Sequence, residues 1–254
     1  MKILKFNLSG DFAFFKNESI NDMYETYPHI HKPALLGMFG AILGYDGYAQ
    51  TQKIFNKADV EIVFPEYYKK LKDIKVGIVP KEYSFPKIIE NFNNSTGMFN
   101  SVADAKNGGK NRVNLIVEQV WLEKPSWDIY LLIDNMEAEK IMESIINSKS
   151  VYHLYLGTNN HFAVIDDIKV YELKENNEKQ VVIDSIVKSD DVSEIKGRIE
   201  NNITEIDFVL PFELSPKTNI YIKKECKISN AKVNLIKGKA YNVDGKNIVF
   251  YWFL

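Results

Sequence analysis

The chain is poor in the residue types that would announce secretion or common catalysis. Cysteine occurs once, as Cys226, so no intrachain disulfide and no cysteine-based metal cluster is available. A reducing cytoplasm is the expected compartment. Among the basic residues only Arg112 and Arg198 are arginine, which leaves little bidentate guanidinium chemistry for gripping phosphate. No apolar run is long enough for a membrane span. Residues 1–15 carry Lys2, Lys5 and Asp11 amid apolar residues and lack the form of a signal peptide. There is no P-loop, no Gly-x-Ser-x-Gly and no His-Glu-x-x-His. Excess charge is missing too: the formal net charge is −2, which argues against a wholly basic nucleic-acid binder but leaves room for a local basic surface.

The 254 residues, 45% hydrophobic and 26% charged, suffice for one large or two small globular domains with a sizeable core. The densest information lies between Tyr27 and Gly47, where a Pro-bounded extended segment runs into a short, nearly all-apolar helix predicted over about 33–44. Pro28 and Pro33 bias Tyr27 and Lys32 away from helix, and Pro33 suits a first helical turn. Gly37, Gly40 and Gly44 each weaken such a helix by roughly 1 kcal/mol relative to alanine, so something must offset them. Close packing on a sheet is one explanation, and close approach of backbone to another chain or a phosphate is the other.

Alternation predicts a half-buried strand over 2–8 and short strands over 59–64 and 74–79. Residues 82–112 show no sustained period. Strands over 113–122 and 127–133 follow, then an amphipathic helix over about 136–147 with Asp134 or Asn135 as N-cap. Strands are predicted over 152–156 and 162–165. Beyond Ile168 nearly everything reads as strand, and Asp244-Gly245 marks a hairpin. Reduced to its core, the order through residue 165 is β-α-β-β-α-β. The expected fold is α+β: a ferredoxin-like domain over 1–166 with a long loop, and a smaller β-rich domain over 167–254.

The opening motif resembles the CRISPR-associated Cas-five family, RAMP-superfamily subunits of type I Cascade complexes, with an I-B-like character. The matching elements are Tyr27-Pro28, Pro33-Ala34-Leu35-Leu36-Gly37 and Gly40-Ala41-Ile42-Leu43-Gly44, after an aromatic-rich segment from Phe6 to Phe15. Glu118 to Leu122, running on through Pro125 to Tyr130, and Tyr152 to Gly157 also fit. The likeness covers roughly the first 165 residues. It implies a subunit that caps the 5′ handle of the guide RNA (crRNA), contacts backbone and large subunits, and uses a thumb between two strands of the first domain. It implies no cofactor and no membrane partner.

The loop over 93–112 occupies the position of that thumb. Lys106, Lys110 and Arg112 surround Asn107-Gly108-Gly109, with Met98 and Phe99 as stacking groups. Such a mixture suits single-stranded RNA, and a solvated loop is the alternative. Tyr27, His29, His31 and Lys32 are further RNA-contact candidates. His29 and His31, two apart in an extended segment, point the same way, but no third metal ligand is evident nearby. One branch of the resembled family cleaves precursor crRNA with a Tyr/His/Lys-type site. A metal-independent endoribonuclease is therefore the rival reading, and a structural module without RNA is the other. Lys217, Lys223, Lys224, Lys227, Lys232, Lys237, Lys239 and Lys246 form a lysine-rich C-terminal stretch, either a positive surface or a solvated sheet edge.

Overall fold

A computed structural model describes residues 1–19, 23–51, 63–94, 115–176, 180–195 and 202–251. The predicted loop residues Met98, Phe99, Lys106, Lys110 and Arg112 lie outside them. The described chain is α+β, with mostly antiparallel sheets and few helices.

Its centre is a four-stranded antiparallel sheet of β1 (Lys2–Ser9), β3 (Val76–Pro80), β6 (Ser126–Ile133) and β7 (Val164–Glu172), in the order β3-β6-β1-β7. Helix α1 (Lys32–Leu43) lies in sequence between β1 and β3. Helix α4 (Met136–Ile146) lies between β6 and β7 and is capped by the Asn135 side chain on Ala138 N. Two short helices, α2 (Tyr48–Thr51) and α3 (Glu66–Leu71), follow α1.

Alternation in β1 divides the sheet into two faces. Leu4, Phe6 and Leu8 join the main apolar cluster with Leu35, Leu36, Phe39 and Ile42 of α1 and Ile141 and Ile145 of α4. Ile3 points the other way, into a second cluster with Val79, Tyr130, Leu132, Tyr241, Val243, Ile248 and Phe250. That cluster is capped by the hairpin of β15 (Ala240–Val243) and β16 (Lys246–Val249). Asp244 and Gly245 take φ of 55° and 78°, the left-handed pair that a tight hairpin turn requires.

Lys5 shares the hairpin side of the sheet, and its charge is answered there. Asp128 of β6 is buried and receives Lys5 at 3.2 Å, Lys81 at 2.6 Å and Lys246 of the hairpin at 3.0 Å. Burial by itself would raise the Asp128 carboxyl, but the three ammonium groups outweigh it and hold it below its usual range. The β1–β7 register shifts between Lys5 and Asn7, and Asp167, with φ 46°, turns its carboxylate onto Lys5 as well. A bulge in an edge strand thus supplies a counter-charge to a buried lysine.

A second unit is an antiparallel ribbon of β4 (Lys87–Asn94) and β5 (Leu115–Glu123), with β2 (Phe12–Ala13) on its other edge. The sequence showed no period over 87–94 because β4 is the wet strand of the ribbon: its Ile89 and Phe92 are exposed, whereas Val120 and Leu122 of β5 are buried. The strands predicted over 152–156 and 162–165 are reduced to a single Tyr155–Phe162 bridge followed by β7.

After β7 come β8 (Lys174–Asn176), β9 (Gln180–Val182), β10 (Val187–Lys188), β11 (Val192–Glu194), β12 (Glu205–Leu214), β13 (Tyr221–Ser229) and β14 (Lys232–Leu235). They pair into small three-stranded sheets. The boundary expected at 166/167 falls inside β7. Ile186, Leu210, Leu214, Cys226 and Ile228 belong to the same cluster as Leu4 and Phe39.

The ion network gives a direct expectation. Asp128→Ala removes the buried carboxylate shared by Lys5, Lys81 and Lys246, leaving Lys5 only the half-exposed Asp167, and is expected to cost about 3 kcal/mol. Lys81→Ala, at the exposed end of the same network, is expected to cost under about 1 kcal/mol. Urea unfolding of both variants checks the contrast, and equal losses would contradict it.

Candidate functional site

The segment from Tyr27 to Lys32 leads into α1 and is buried at every position but Pro28, which is half-buried. Tyr27, His29, His31 and Lys32, expected at an RNA surface, are each no more than 3% exposed. The Tyr27 hydroxyl donates to Glu18 Oε2 at 3.0 Å, and Glu18 also meets Lys223 at 3.2 Å. Burial and the Glu18 carboxylate push the Tyr27 phenol well above its ordinary value.

His29 is held at both nitrogens. Nε2 donates to Tyr83 O at 3.2 Å, and Nδ1 accepts the Trp127 indole N–H at 3.4 Å. The rings of Phe85 and Phe208 pack on it at 5.5 and 5.0 Å. Burial lowers its pKa to about 4, against a partial rise from the Tyr83 carbonyl. His31 is the N-cap of α1: its Nδ1 accepts from Ala34 N at 3.3 Å. Phe15, Tyr27 and Tyr221 surround the ring edge-on at 5.8, 5.4 and 5.4 Å. Burial lowers its pKa to about 3, consistent with a neutral ring accepting at Nδ1. Burial likewise lowers the Lys32 ammonium to about 7, with Asp73 and Glu213 opposing.

Each glycine of α1 has its own reason. Gly44 ends the helix in the left-handed region, with φ 75°. At Gly40 a Cβ would lie 2.5 Å from the Cβ of Tyr67, so α3 approaches too closely for any side chain. At Gly37 a Cβ would meet nothing within 4 Å. That open position marks a cleft of about 960 Å³, whose floor is the helical stripe His31, Ala34, Gly37, Met38 and Ala41.

The far wall of the cleft is the segment after α4. Val151 and Tyr152 donate their N–H groups to Ile42 O and Ala41 O, at 3.2 and 3.1 Å, satisfying carbonyls at the α1 C-terminus. Phe14 N then donates to Leu156 O at 3.0 Å, and Ala163 N to Leu154 O at 3.0 Å, so the wall is tied to both helix and sheet. It presents Tyr152 and Tyr155, 53% and 47% exposed, and His153. Tyr45, Tyr48 and Tyr67 complete the rim near α2 and α3. Lys16 and Glu18 are the charged groups of the lining.

Sequence reasoning passed over this site. Tyr152 to Gly157 fitted a family segment, but nothing in it announced a cleft wall. The lysine-rich C-terminal stretch is partly used internally: Lys223 pairs with Glu18, Lys227 with Glu205 and Asp207, and Lys246 with Asp128. Among the described residues no group of three or more His, Cys, Asp or Glu side chains is arranged to hold a metal. No described helix is long and apolar enough to cross a membrane.

Against known proteins, no family model matches the chain and no curated protein matches its sequence. Solved structures do resemble it. A chain of a CRISPR RNA-guided surveillance complex superposes with a TM-score of 0.51 at 14% identity, over 90% of both chains. A CRISPR protein from Archaeoglobus fulgidus scores 0.49 at 13% identity over 100% of both chains. A chain of the type III-B Cmr-beta complex bound to cognate target RNA and AMPPnP also scores 0.49, at 11% identity over 92% of this chain and 86% of that one. The first of these supports a statement of likeness in fold, and at these identities the likeness is one of fold alone.

Two expectations follow. Gly37→Ala, with open space for its methyl, is expected to stabilise by about 0.5–1 kcal/mol, while Gly40→Ala forces α3 away and destabilises; paired denaturant curves separate them. The second concerns pH. The unfolded chain takes up a proton on His31 near pH 6.5 that the folded chain refuses until about 3. Stability from this group is therefore whole above about 6.5 and falls as pH drops toward 3. His31→Asn keeps a capping acceptor without the titration. It is expected to flatten the stability–pH slope between pH 6 and 4 by up to about 1.4 kcal/mol per unit, and an unchanged slope would refute the assignment.

Proposed function

We propose that this chain is a non-catalytic, guide-RNA-binding subunit of a CRISPR effector complex, of the Cas-five type, that caps the 5′ handle of crRNA. The observation that carries this reading is the fold likeness to a surveillance-complex chain over nine-tenths of both molecules. The motif resemblance of Tyr27 to Gly44 supports it independently. In this reading β1, α1, β3, β6, α4 and β7 make a ferredoxin-like RAMP domain, the strands after β7 form its β-rich companion, and the β4–β5 ribbon is the base of the thumb.

Phosphate contacts come from Lys106, Lys110 and Arg112, which lie in sequence between β4 and β5, with Met98 and Phe99 stacking on bases. Tyr27, His29, His31 and Lys32 act from beneath, by fixing the start of α1. Their burial, and the engagement of both His29 nitrogens, favour this supporting role over general acid–base cleavage. Guide pairing reads the target, as in other RNA-guided effectors, while backbone and large subunits are the protein partners.

The test is a salt series with repeat-derived RNA carrying an intact or scrambled 5′ handle, run in chelator and checked on a denaturing gel. Handle-dependent binding of uncut RNA is expected. The triple variant Lys106→Ala/Lys110→Ala/Arg112→Ala should bind more weakly and flatten the log–log salt slope by about 2, at about 0.7 per phosphate contact. Equal binding to scrambled RNA would refute capping, and cut RNA would assign cleavage instead.

A further inference from the structure

The two edges of the central sheet are treated differently. Along β3 the outer edge is met by the chain itself: Tyr251 N donates to Val76 O at 3.3 Å, in an isolated antiparallel bridge. β7 has no such cover. It is nine residues long and pairs with β1 on one side, and among the described residues no backbone hydrogen bond reaches its other side. A strand so placed presents a row of unpaired N–H and C=O groups, a template for one more strand.

The side chains along this edge indicate which strand would suit it. Val164 and Val170 are 51% and 44% exposed. The charges are of uneven sign, with Asp166, Asp167 and Glu172 against Lys169. Asp167 is engaged by Lys5 and Lys169, whereas Asp166 and Glu172 are exposed and form no ion pair among the described residues. The pairing with β1 is regular on either side of the bulge, over Val164–Asp166 and Lys169–Glu172. Bulges and charges guard an edge against chance pairing, and here the guard has one sign. A second copy of β7 would bring its own carboxylates against these, and like charges oppose that pairing. A strand of the opposite sign meets them favourably. The outer edge of β4, with one lysine and one glutamate, carries no such preference.

We infer that the outer edge of β7 is a docking edge for a protein partner. The partner adds an extended strand to the sheet, with lysine or arginine side chains beside Asp166 and Glu172 and apolar ones beside Val164 and Val170. Main-chain hydrogen bonds supply the affinity, and the two carboxylates select the partner. The inference does not depend on RNA binding and stands or falls apart from it.

The experiment uses the full-length protein and short fluorescent peptides as probes. One alternates valine with lysine and one alternates valine with glutamate. A third is the lysine peptide interrupted by proline, which keeps the charge but cannot extend a sheet. Anisotropy reads binding, and hydrogen exchange reads backbone protection. The unbroken lysine peptide is expected to bind and, at saturation, to slow exchange of amides within β7 about ten-fold or more. The other two peptides are expected to bind about ten-fold or more weakly. Asp166→Lys/Glu172→Lys, which alters exposed side chains, is expected to weaken the lysine peptide about ten-fold and to strengthen the glutamate peptide. Exchange on the wild type keeps the test open even where that variant folds poorly.

Equal binding of the proline-interrupted peptide, or binding that leaves exchange in β7 unchanged, would reduce the edge to a charged surface and overturn the inference. Absence of binding by the lysine peptide would overturn it as well. Dimerisation with protection of β7 would assign the edge to a second copy and equally overturn it. Each of these outcomes leaves the RNA-binding reading to its own test.

Discussion

A helix that is apolar on nearly every side must be surrounded on nearly every side, and α1 imposes that condition on the whole molecule. Its core face meets Phe6 edge-on through Phe39 at 6.4 Å. Its Gly40 side is closed by Tyr67, its C-terminal carbonyls take the N–H groups of Val151 and Tyr152, and its first turn is capped by a buried histidine. Strand β12 reaches it from the far end of the chain. With so much of its surface committed to protein, the stripe through Gly37 stands out as the side left uncovered. The cleft is thus a consequence of how the remaining sides are filled.

Much of this was legible in the sequence. The α1 boundaries, the Asn135 cap, the strand at 2–8 and the Asp244-Gly245 hairpin rest on local rules of periodicity and turn geometry, and those rules held. The three glycines could be flagged but not assigned. Whether a missing Cβ makes room for Tyr67, permits a left-handed φ or leaves open space depends on elements distant in the chain. The strand at 87–94 escaped notice because an edge strand exposed along its length needs no alternation.

His29 and His31 show a different limit. Their spacing in sequence raised the expectation of a shared direction, but spacing carries no information about which side of a segment is the interior. Polar residues so near a Pro-bounded turn read naturally as surface groups. In the fold their polarity serves buried partners, an indole N–H, a carbonyl and a helix N-terminus, and each ring is kept neutral by the surroundings that hide it. The segment behaves as a polar keel, stiffening α1 from within the core.

The hairpin of β15 and β16 carries one more implication. Four-stranded sheets of this connectivity are familiar as open platforms on which nucleobases lie flat against exposed aromatics. Here that platform is roofed: Tyr241, Ile248 and Phe250 rest on Ile3, Tyr130 and Leu132, and Lys246 is anchored to the sheet through Asp128. The hairpin thus covers the apolar part of that face. Under the function proposed above, RNA is received on the helical side or along the margins of the fold, and the outer surface of the roof is left for other contacts.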